Sequence, residues 1–225
     1  MKIIVVGSSG RVGSAVCKIL KEKNIEVAPI EKNITQENVT GEAVIDFSSP
    51  DATEMVCALC ERLNAPLIMG TTGQNQNQLE LINKLSSKVE VVQSGNFSNG
   101  LGAMKKLVEM LCYLCPKWER EIIEIHHSAK KDSPSKTSLE LAKIVENITG
   151  DIILSGRNGK SNSDECAIHS VRCGTIFGEH TVIFANNGER LEITHKAENV
   201  EIFARGAVDY AIELLAKKRD SIESQ

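Results

Sequence analysis

The sequence predicts an α/β chain in two parts: a parallel sheet covered by helices, then a mixed or antiparallel sheet. Three observations carry this. Short apolar, β-branched runs alternate with helical patterns up to about Asn96. A glycine-rich turn, Gly7-Ser8-Ser9-Gly10-Arg11-Val12-Gly13, follows the first run at once. Beyond Asn96 the rhythm changes and three long β segments come close together. Alternating strands and helices pack as a parallel sheet with both faces covered.

The elements follow in order. Lys2 to Val6 reads as a strand, and after the turn Val12, Val16, Ile19 and Leu20 recur at helical spacing. Ile25 to Ile30, Glu42 to Phe47, Pro66 to Met69 and Val89 to Val92 read as further strands. Helices are expected over Asp51 to Leu63, with Pro50 near the start as a first-turn proline, and over Gln78 to Leu85. A helix over Gly100 to Leu114 leads into a strand, Glu121 to His127. The helix that begins near Ser135 shows Leu141, Ala142, Val145 and Ile148 on one face. Asp151 to Asp164 is polar and rich in Gly, Asn and Ser, so a surface loop is expected. Cys166 to Cys173, Phe177 to Ala185 and Arg190 to His195 read as strands, with a turn at Asn186-Asn187-Gly188. Ile202 to Lys218 reads as a final helix, with Ala207, Tyr210, Ala211 and Leu214 on one side.

Composition narrows the function classes. The chain has 225 residues and a net charge of −4, which argues against a nucleic-acid partner. No run approaches the ~20 apolar residues of a membrane span. Only Ile3 to Val6 are apolar before Gly7, too short for a signal-peptide core, so a cytoplasmic location is expected. Seven cysteines, an odd number, are expected to stay reduced. Cys57-x-x-Cys60 and Cys112-x-x-Cys115 have metal-like spacing, but both lie in apolar helical stretches. They are expected to be small core residues, and no metal is expected.

The glycine turn, between a strand and a helix, suits a dinucleotide, because its backbone can approach a pyrophosphate at a helix N-terminus. Ser9 stands where the common fingerprint has its second glycine. Glu31 ends the second strand, where an acid holds the adenine-ribose hydroxyls of NAD; Lys32 beside it suits the 2′-phosphate of NADP. Gly70-Thr71-Thr72-Gly73 and Ser94-Gly95-Asn96-Phe97-Ser98 close the fourth and fifth strands, and ligands of open parallel sheets lie beyond such ends.

The densest chemistry runs from Ile125 to Thr137, with His126, His127, Lys130, Lys131, Lys136 and a Ser135 helix start. An imidazole exchanges a proton near neutral pH. A helix start receives a carboxylate or phosphate. Together they describe a site for a small anion that must be protonated. Lys136-Thr137 resembles the end of a phosphate-binding P-loop, but the glycines needed at Lys130 and Ser135 are missing. The paired histidines do not read as joint metal ligands, since neighbours on a strand face opposite ways. His169, His180 and His195 lie on strand patterns and read as structural.

Five ordered motifs resemble the 4-hydroxy-tetrahydrodipicolinate reductase (dihydrodipicolinate reductase) family over nearly the whole chain. They are the Gly7 turn with Arg11, Gly70 to Gly73, Gly95 to Ser98, His126-His127 with Asp132 to Ser135, and Gly178 to Thr181 through Ile193 to Ala197. The resemblance implies a Rossmann-like nucleotide domain at 1–97 and 204–225. It implies a substrate-binding and oligomerisation domain, with a mixed four-stranded sheet, at 98–203. It further implies NADH and/or NADPH as cofactor, a small dicarboxylate substrate of lysine and diaminopimelate biosynthesis, and a homotetramer. By the same resemblance His126 is the proton donor, Lys130 the second catalytic position and His127 a substrate contact. Lys136 and Thr137 supply the N–H pair for a substrate carboxylate. Gly7, Ser8, Ser9, Gly10, Arg11, Val12, Glu31, Gly70, Thr71, Thr72, Ser94, Gly95, Asn96 and Phe97 match nucleotide positions. Lys136 departs from a usual glycine, and Val200 from a frequent arginine. The residues alone leave two other readings open: another two-domain NAD(P) dehydrogenase of amino or keto acids, and a nucleotide-binding homologue without catalysis.

Overall fold

The computed structural model describes residues 1–31 and 38–223. Lys32 therefore lies outside the described residues. The chain divides into two compact units, Met1–Ser98 with Val200–Gln225, and Asn99–Asn199.

The first unit holds β1 (Lys2–Val6), α1 (Arg11–Glu22), β2 (Glu26–Ile30) and β3 (Ala43–Asp46). A 3-10 turn at Pro50–Ala52 then leads into α2 (Thr53–Leu63). β4 (Leu67–Met69), α3 (Gln76–Ser86) and β5 (Val91–Gln93) follow, and the chain's last helix, α6 (Glu201–Glu223), belongs here too. All five strands are parallel, in the order β2-β1-β3-β4-β5, so their carboxyl ends share one edge. Strand alternation divides the apolar side chains between two faces. Ile3 and Val5 pack with Val16 and Leu20 of α1 and with Ala207 and Ala211 of α6. Ile4 and Val6 pack with Val56 and Cys60 of α2 and with Ile82 of α3. The fully apolar runs read from the sequence are what a sheet buried on both sides requires.

The second unit holds α4 (Asn99–Leu114), β6 (Glu119–His126), α5 (Lys136–Thr149) and β7 (Ile152–Ser155). β8 (Glu165–Arg172), β9 (Gly178–Asn186) and β10 (Glu189–Ala197) complete it. Its sheet is mixed, in the order β10-β9-β6-β8-β7. Five strands are present where four were expected. The extra one, β7, lies within the stretch expected to be a loop. Ile152-Ile153-Leu154 is too short to outweigh its polar surroundings in a composition reading. It pairs with β8 alone at the sheet edge, and Ile153 packs on the core. Leu101, Met104 and Val108 of α4, Leu141 and Val145 of α5, and Ile122, Ile168, Val182 and Phe184 of the sheet build that core on one face.

Burial pushes the Cys57 and Cys112 thiols each up to about 11 and raises Cys60 and Cys166 as well, so these side chains fill space as neutral groups. No helix among the described residues is long and apolar enough to cross a membrane.

Candidate active site

In the first unit the chain steps from β1 outward to β2, then crosses to β3 on the other side of β1. A crevice opens where the order reverses. It is a cavity of about 280 Å³ lined by Gly7, Ser9, Gly10, Glu31, Phe47 and Ser48, among others. The turn that walls it depends on glycine. Gly7 has φ +75°, and a Cβ there would stand 2.5 Å from the Phe47 carbonyl oxygen. A Cβ on Gly13 would stand 2.1 Å from the Gly7 carbonyl oxygen. Gly10 is the N-cap of α1 and brings no side chain to cap it, so the helix start stays available to an anion. Arg11 is exposed at the first helical position and Val12 is half-buried.

Glu31 closes the far side. Its carboxylate accepts hydrogen bonds from the Ser8 hydroxyl and, at 2.7 Å, from the Ser9 hydroxyl. These bonds lower its pKa. Serine where a glycine was expected thus sets Glu31 in place. The loops after β3 and β4 are tied together through Asp46, Ser48 and Thr71. Asp46 is 1% exposed, and its Oδ1 accepts from the Ser48 N–H at 3.1 Å and the Ser48 hydroxyl at 2.5 Å. Thr71 Oγ1 shares the Ser48 N–H at 3.0 Å. Burial raises the Asp46 pKa, with hydrogen bonds from Ser48 and Thr71 opposing. Gly70 is small for a packing reason: a Cβ there would lie 2.0 Å from the Phe47 ring. Thr72 and Gly95 are exposed on the same edge. The turn after β5 is held by the Ser94 hydroxyl, which donates to the Asn96 carbonyl at 2.8 Å. Phe97 is buried between the rings of Phe47 and Tyr210, so its side chain is core. A bare helix start, a glycine cradle and an acid at the end of β2 fit a dinucleotide.

A second cavity of about 330 Å³, lined by Asn64, Pro66, Lys88 and Lys217, lies at the amino ends of β4 and β5, away from this cradle.

In the second unit the site is a product of register. Across β6 and β8, Glu124 stands opposite Ser170 and His126 opposite Arg172. Across β6 and β9, Glu124 stands opposite His180. Glu124 and His126, two apart, share a face, and the partners join them there. Glu124 is fully buried and His126 is 8% exposed. His126 Nδ1 lies 2.5 Å from Glu124 Oε2, but the ring N–H is not aimed at that oxygen, and neither atom makes a directed hydrogen bond. The contact is one of charge. Glu124 Oε1 accepts from Arg172 Nη2 at 2.9 Å and from the Ser135 N–H at 3.0 Å. Burial works to raise the Glu124 pKa, but Arg172, the nearby Ser170 and the Ser135 N–H outweigh it and leave it lowered. Burial lowers the His126 pKa, and Glu124 offsets part of that.

His180, structural by its strand pattern alone, lies against the catalytic candidate. Its ring meets that of His126 edge-on at 5.2 Å, and its Nε2 lies 3.1 Å from the Ser135 hydroxyl. Burial, then His126, lowers its pKa to about 4. Glu124, His126 and His180 have donor atoms within 4.8 Å of one another, the set a metal would need. Arg172 already neutralises Glu124, and with Lys130 it opposes a second cation there.

Ser135 caps α5, its hydroxyl accepting from the Ser138 N–H at 3.2 Å. Lys136 is exposed at the first helical position, so its side chain does not fill the space a glycine would leave. Thr137 is half-buried beside it. Lys130 pairs with Asp132 at 2.8 Å, and Lys130 and the Lys136 N–H both hold the Asp132 carboxyl below the usual range. A carboxylate therefore already stands on the two groups expected to receive one. Arg172 Nη2 also holds the Asp132 carbonyl at 2.6 Å. His127 is half-buried just past β6. Of the residues that complete the cluster, Glu124 was legible as Glu-x-His at strand spacing. Arg172 and His180 needed the register.

The comparisons with known proteins agree over both units. The family described as dihydrodipicolinate reductase, N-terminus, matches residues 26–97, and the one described as dihydrodipicolinate reductase, C-terminus, matches residues 100–224. The 4-hydroxy-tetrahydrodipicolinate reductase of Thermosipho africanus is 36% identical over 97% of this chain and 93% of its own. That of Clostridium novyi is 34% identical over 98% of this chain and 95% of its own. A dipicolinate-bound dihydrodipicolinate reductase from Paenisporosarcina shares the fold, with a TM-score of 0.76, 22% identity, and coverage of 96% of this chain and 94% of that one. The chain belongs to the dihydrodipicolinate reductase family.

Proposed function

We propose that the protein reduces 4-hydroxy-tetrahydrodipicolinate to tetrahydrodipicolinate in lysine and diaminopimelate biosynthesis, with His126 as proton donor. The observation that carries the reading is a buried imidazole against a buried carboxylate, on a segment that also brings Lys130 and a helix start. In the reaction the ring loses water and gains one hydride and one proton. Bound NADH or NADPH supplies the hydride. The remaining work falls to the chain.

His126 donates the proton from Nε2, the nitrogen turned away from Glu124, to the ring carbon of the enamine. Burial lowers its pKa, which favours release of that proton, and Glu124 offsets part of the shift. Lys130 exchanges Asp132 for a substrate carboxylate. The N–H groups of Lys136 and Thr137 receive the second carboxylate, and His127 adds a contact. Holding both carboxylates fixes the ring, and positioning of this kind supplies much of a rate enhancement. Gly7, Ser8, Ser9, Gly10, Arg11 and Val12 hold the pyrophosphate side of the cofactor. Glu31 takes the adenine-ribose hydroxyls, which favours NADH over NADPH.

A homotetramer in the cytoplasm belongs to the same proposal. It is supported by apolar side chains left uncovered on the second unit, such as Met110, Leu114 and Leu191. Light scattering on the purified protein tests it.

The activity test supplies the product of dihydrodipicolinate synthase and follows NADH or NADPH oxidation. His126→Ala and Lys130→Ala are each expected to lower turnover by about 100-fold or more, with NADH affinity retained. Full turnover in both variants would refute the assigned roles.

A further inference from the structure

We infer that Glu124 is a positioning residue for the reduction: its carboxylate holds the His126 ring and couples it to the start of α5. The inference rests on the proposed role of His126.

The geometry separates Glu124 from an ordinary structural ion pair. The same unit contains one for comparison. Arg120 grips Asp151 with both ends of its fork, Nε to Oδ2 at 2.8 Å and Nη2 to Oδ1 at 2.9 Å. That is bidentate pairing, which uses both carboxylate oxygens on one partner. Arg172 does not pair in this way. Only its Nη2 reaches Glu124, at Oε1, and its Nε has no hydrogen-bond partner. Oε2 is left for the imidazole, 2.5 Å from Nδ1. Glu124 thus divides its oxygens between a cation and a proton donor.

The division has a consequence for the ring. A carboxylate beside Nδ1 favours the tautomer with its proton on Nδ1 and steadies the imidazolium once it forms. Nε2 is then the nitrogen that exchanges protons. Space is kept at that end by a missing side chain, since a Cβ on Gly178 would stand 3.0 Å from Nε2. Oε1 meanwhile accepts from the Ser135 N–H, the residue that caps α5. One buried carboxylate therefore links the proton donor to the helix start that receives a substrate carboxylate. Removing it frees the ring, while α5 keeps its own cap in the Ser135 hydroxyl.

Charged and titratable groups face His126 from each neighbouring element. Glu124 lies on its own strand, Arg172 on β8, His180 on β9 and Lys130 in the following loop. Of these groups, Glu124 alone attracts the imidazolium. Without it, Arg172 and Lys130 act unopposed, and the proton is held less well.

The test compares kcat, KM and the pH dependence of kcat/KM for wild type, Glu124→Gln, Glu124→Gln with Arg172→Met, and His126→Ala. Binding of pyridine-2,6-dicarboxylate in the presence of NADH reports that the substrate unit is folded. Glu124→Gln is expected to lower kcat about 10- to 100-fold, with a far smaller change in KM. The basic limb of the profile is expected to move to lower pH. The double variant removes the stranded Arg172 charge, guards against misfolding, and is expected to show the same direction of shift because Glu124 is the nearer group. A wild-type kcat and limb in folded Glu124→Gln, with His126→Ala inactive, overturns the inference and spares the role of His126. Loss of dicarboxylate binding in both Glu124 variants overturns it as well, marking the residue as fold support. Full activity in His126→Ala overturns the underlying reading itself.

Discussion

Burial holds His180 neutral, with a pKa near 4 against an ordinary 6.5. The unfolded chain binds a proton at this residue below about pH 6.5, and the folded chain does so only near pH 4. Stability is therefore complete above 6.5 and declines as the pH falls through that window. The loss from this residue is on the order of 3 kcal/mol by linkage. His180→Gln keeps an amide near the position of Nε2 and removes the titration. Urea unfolding at pH 7 and pH 4.5 is expected to show a smaller pH effect in this variant than in wild type. Equal pH effects would mean that His180 is already solvated. The same burial suits the residue to its place, since a neutral imidazole beside His126 adds no charge against protonation of the proposed donor.

At the scale of elements, the β1–α1 turn and helix α4 make opposite predictions for the same substitution. Gly13 packs its Cα against the carbonyl of Gly7, and a methyl group there meets backbone at 2.1 Å. Backbone cannot yield as a side chain tip does. Gly13→Ala is expected to lift the start of α1 from the turn, cost about 1–3 kcal/mol of stability, and weaken NADH binding in a fluorescence titration. Gly102 lies exposed inside α4 with nothing within 4 Å of a built Cβ. Gly102→Ala removes only the entropic cost of a helical glycine and is expected to stabilise by about 0.5–1 kcal/mol. Thermal unfolding checks both.

At the scale of the molecule, each unit has its own core: two apolar layers around the parallel sheet, and one layer on the mixed sheet. The Arg120–Asp151 pair lies wholly in the second unit, with side chains 2% and 3% exposed. Arg120→Met strands a buried carboxylate, which is expected to cost about 3–5 kcal/mol. NADH affinity is expected to survive, because the residues proposed to hold the cofactor lie in the other unit. Calorimetry and NADH titration on the same preparation test this, and a parallel loss of cofactor binding would refute the separation.

The parallel half was legible because a sheet buried on both faces demands uninterrupted apolar runs, and Lys2 to Val6 and Glu42 to Phe47 supply them. The Gly7 turn and Glu31 were legible because each is a local requirement, one of backbone conformation and one of spacing. Strand β7 was not, because three apolar residues at a sheet edge draw their stability from β8 and leave little trace in composition. The cluster around His126 divides in the same way. Glu124 and His126 lie two apart on one strand, and alternation puts them on one face. His180 and Arg172 are far away in sequence and arrive only through the pairing of β9 and β8 with β6. The sequence by itself determined the fold class and the glycine turn that opens α1, and it put Glu124 and His126 on one face of a strand. The tertiary structure decided what surrounds that histidine, because strand register is a long-range choice, and the charges it assembles govern where the proton resides.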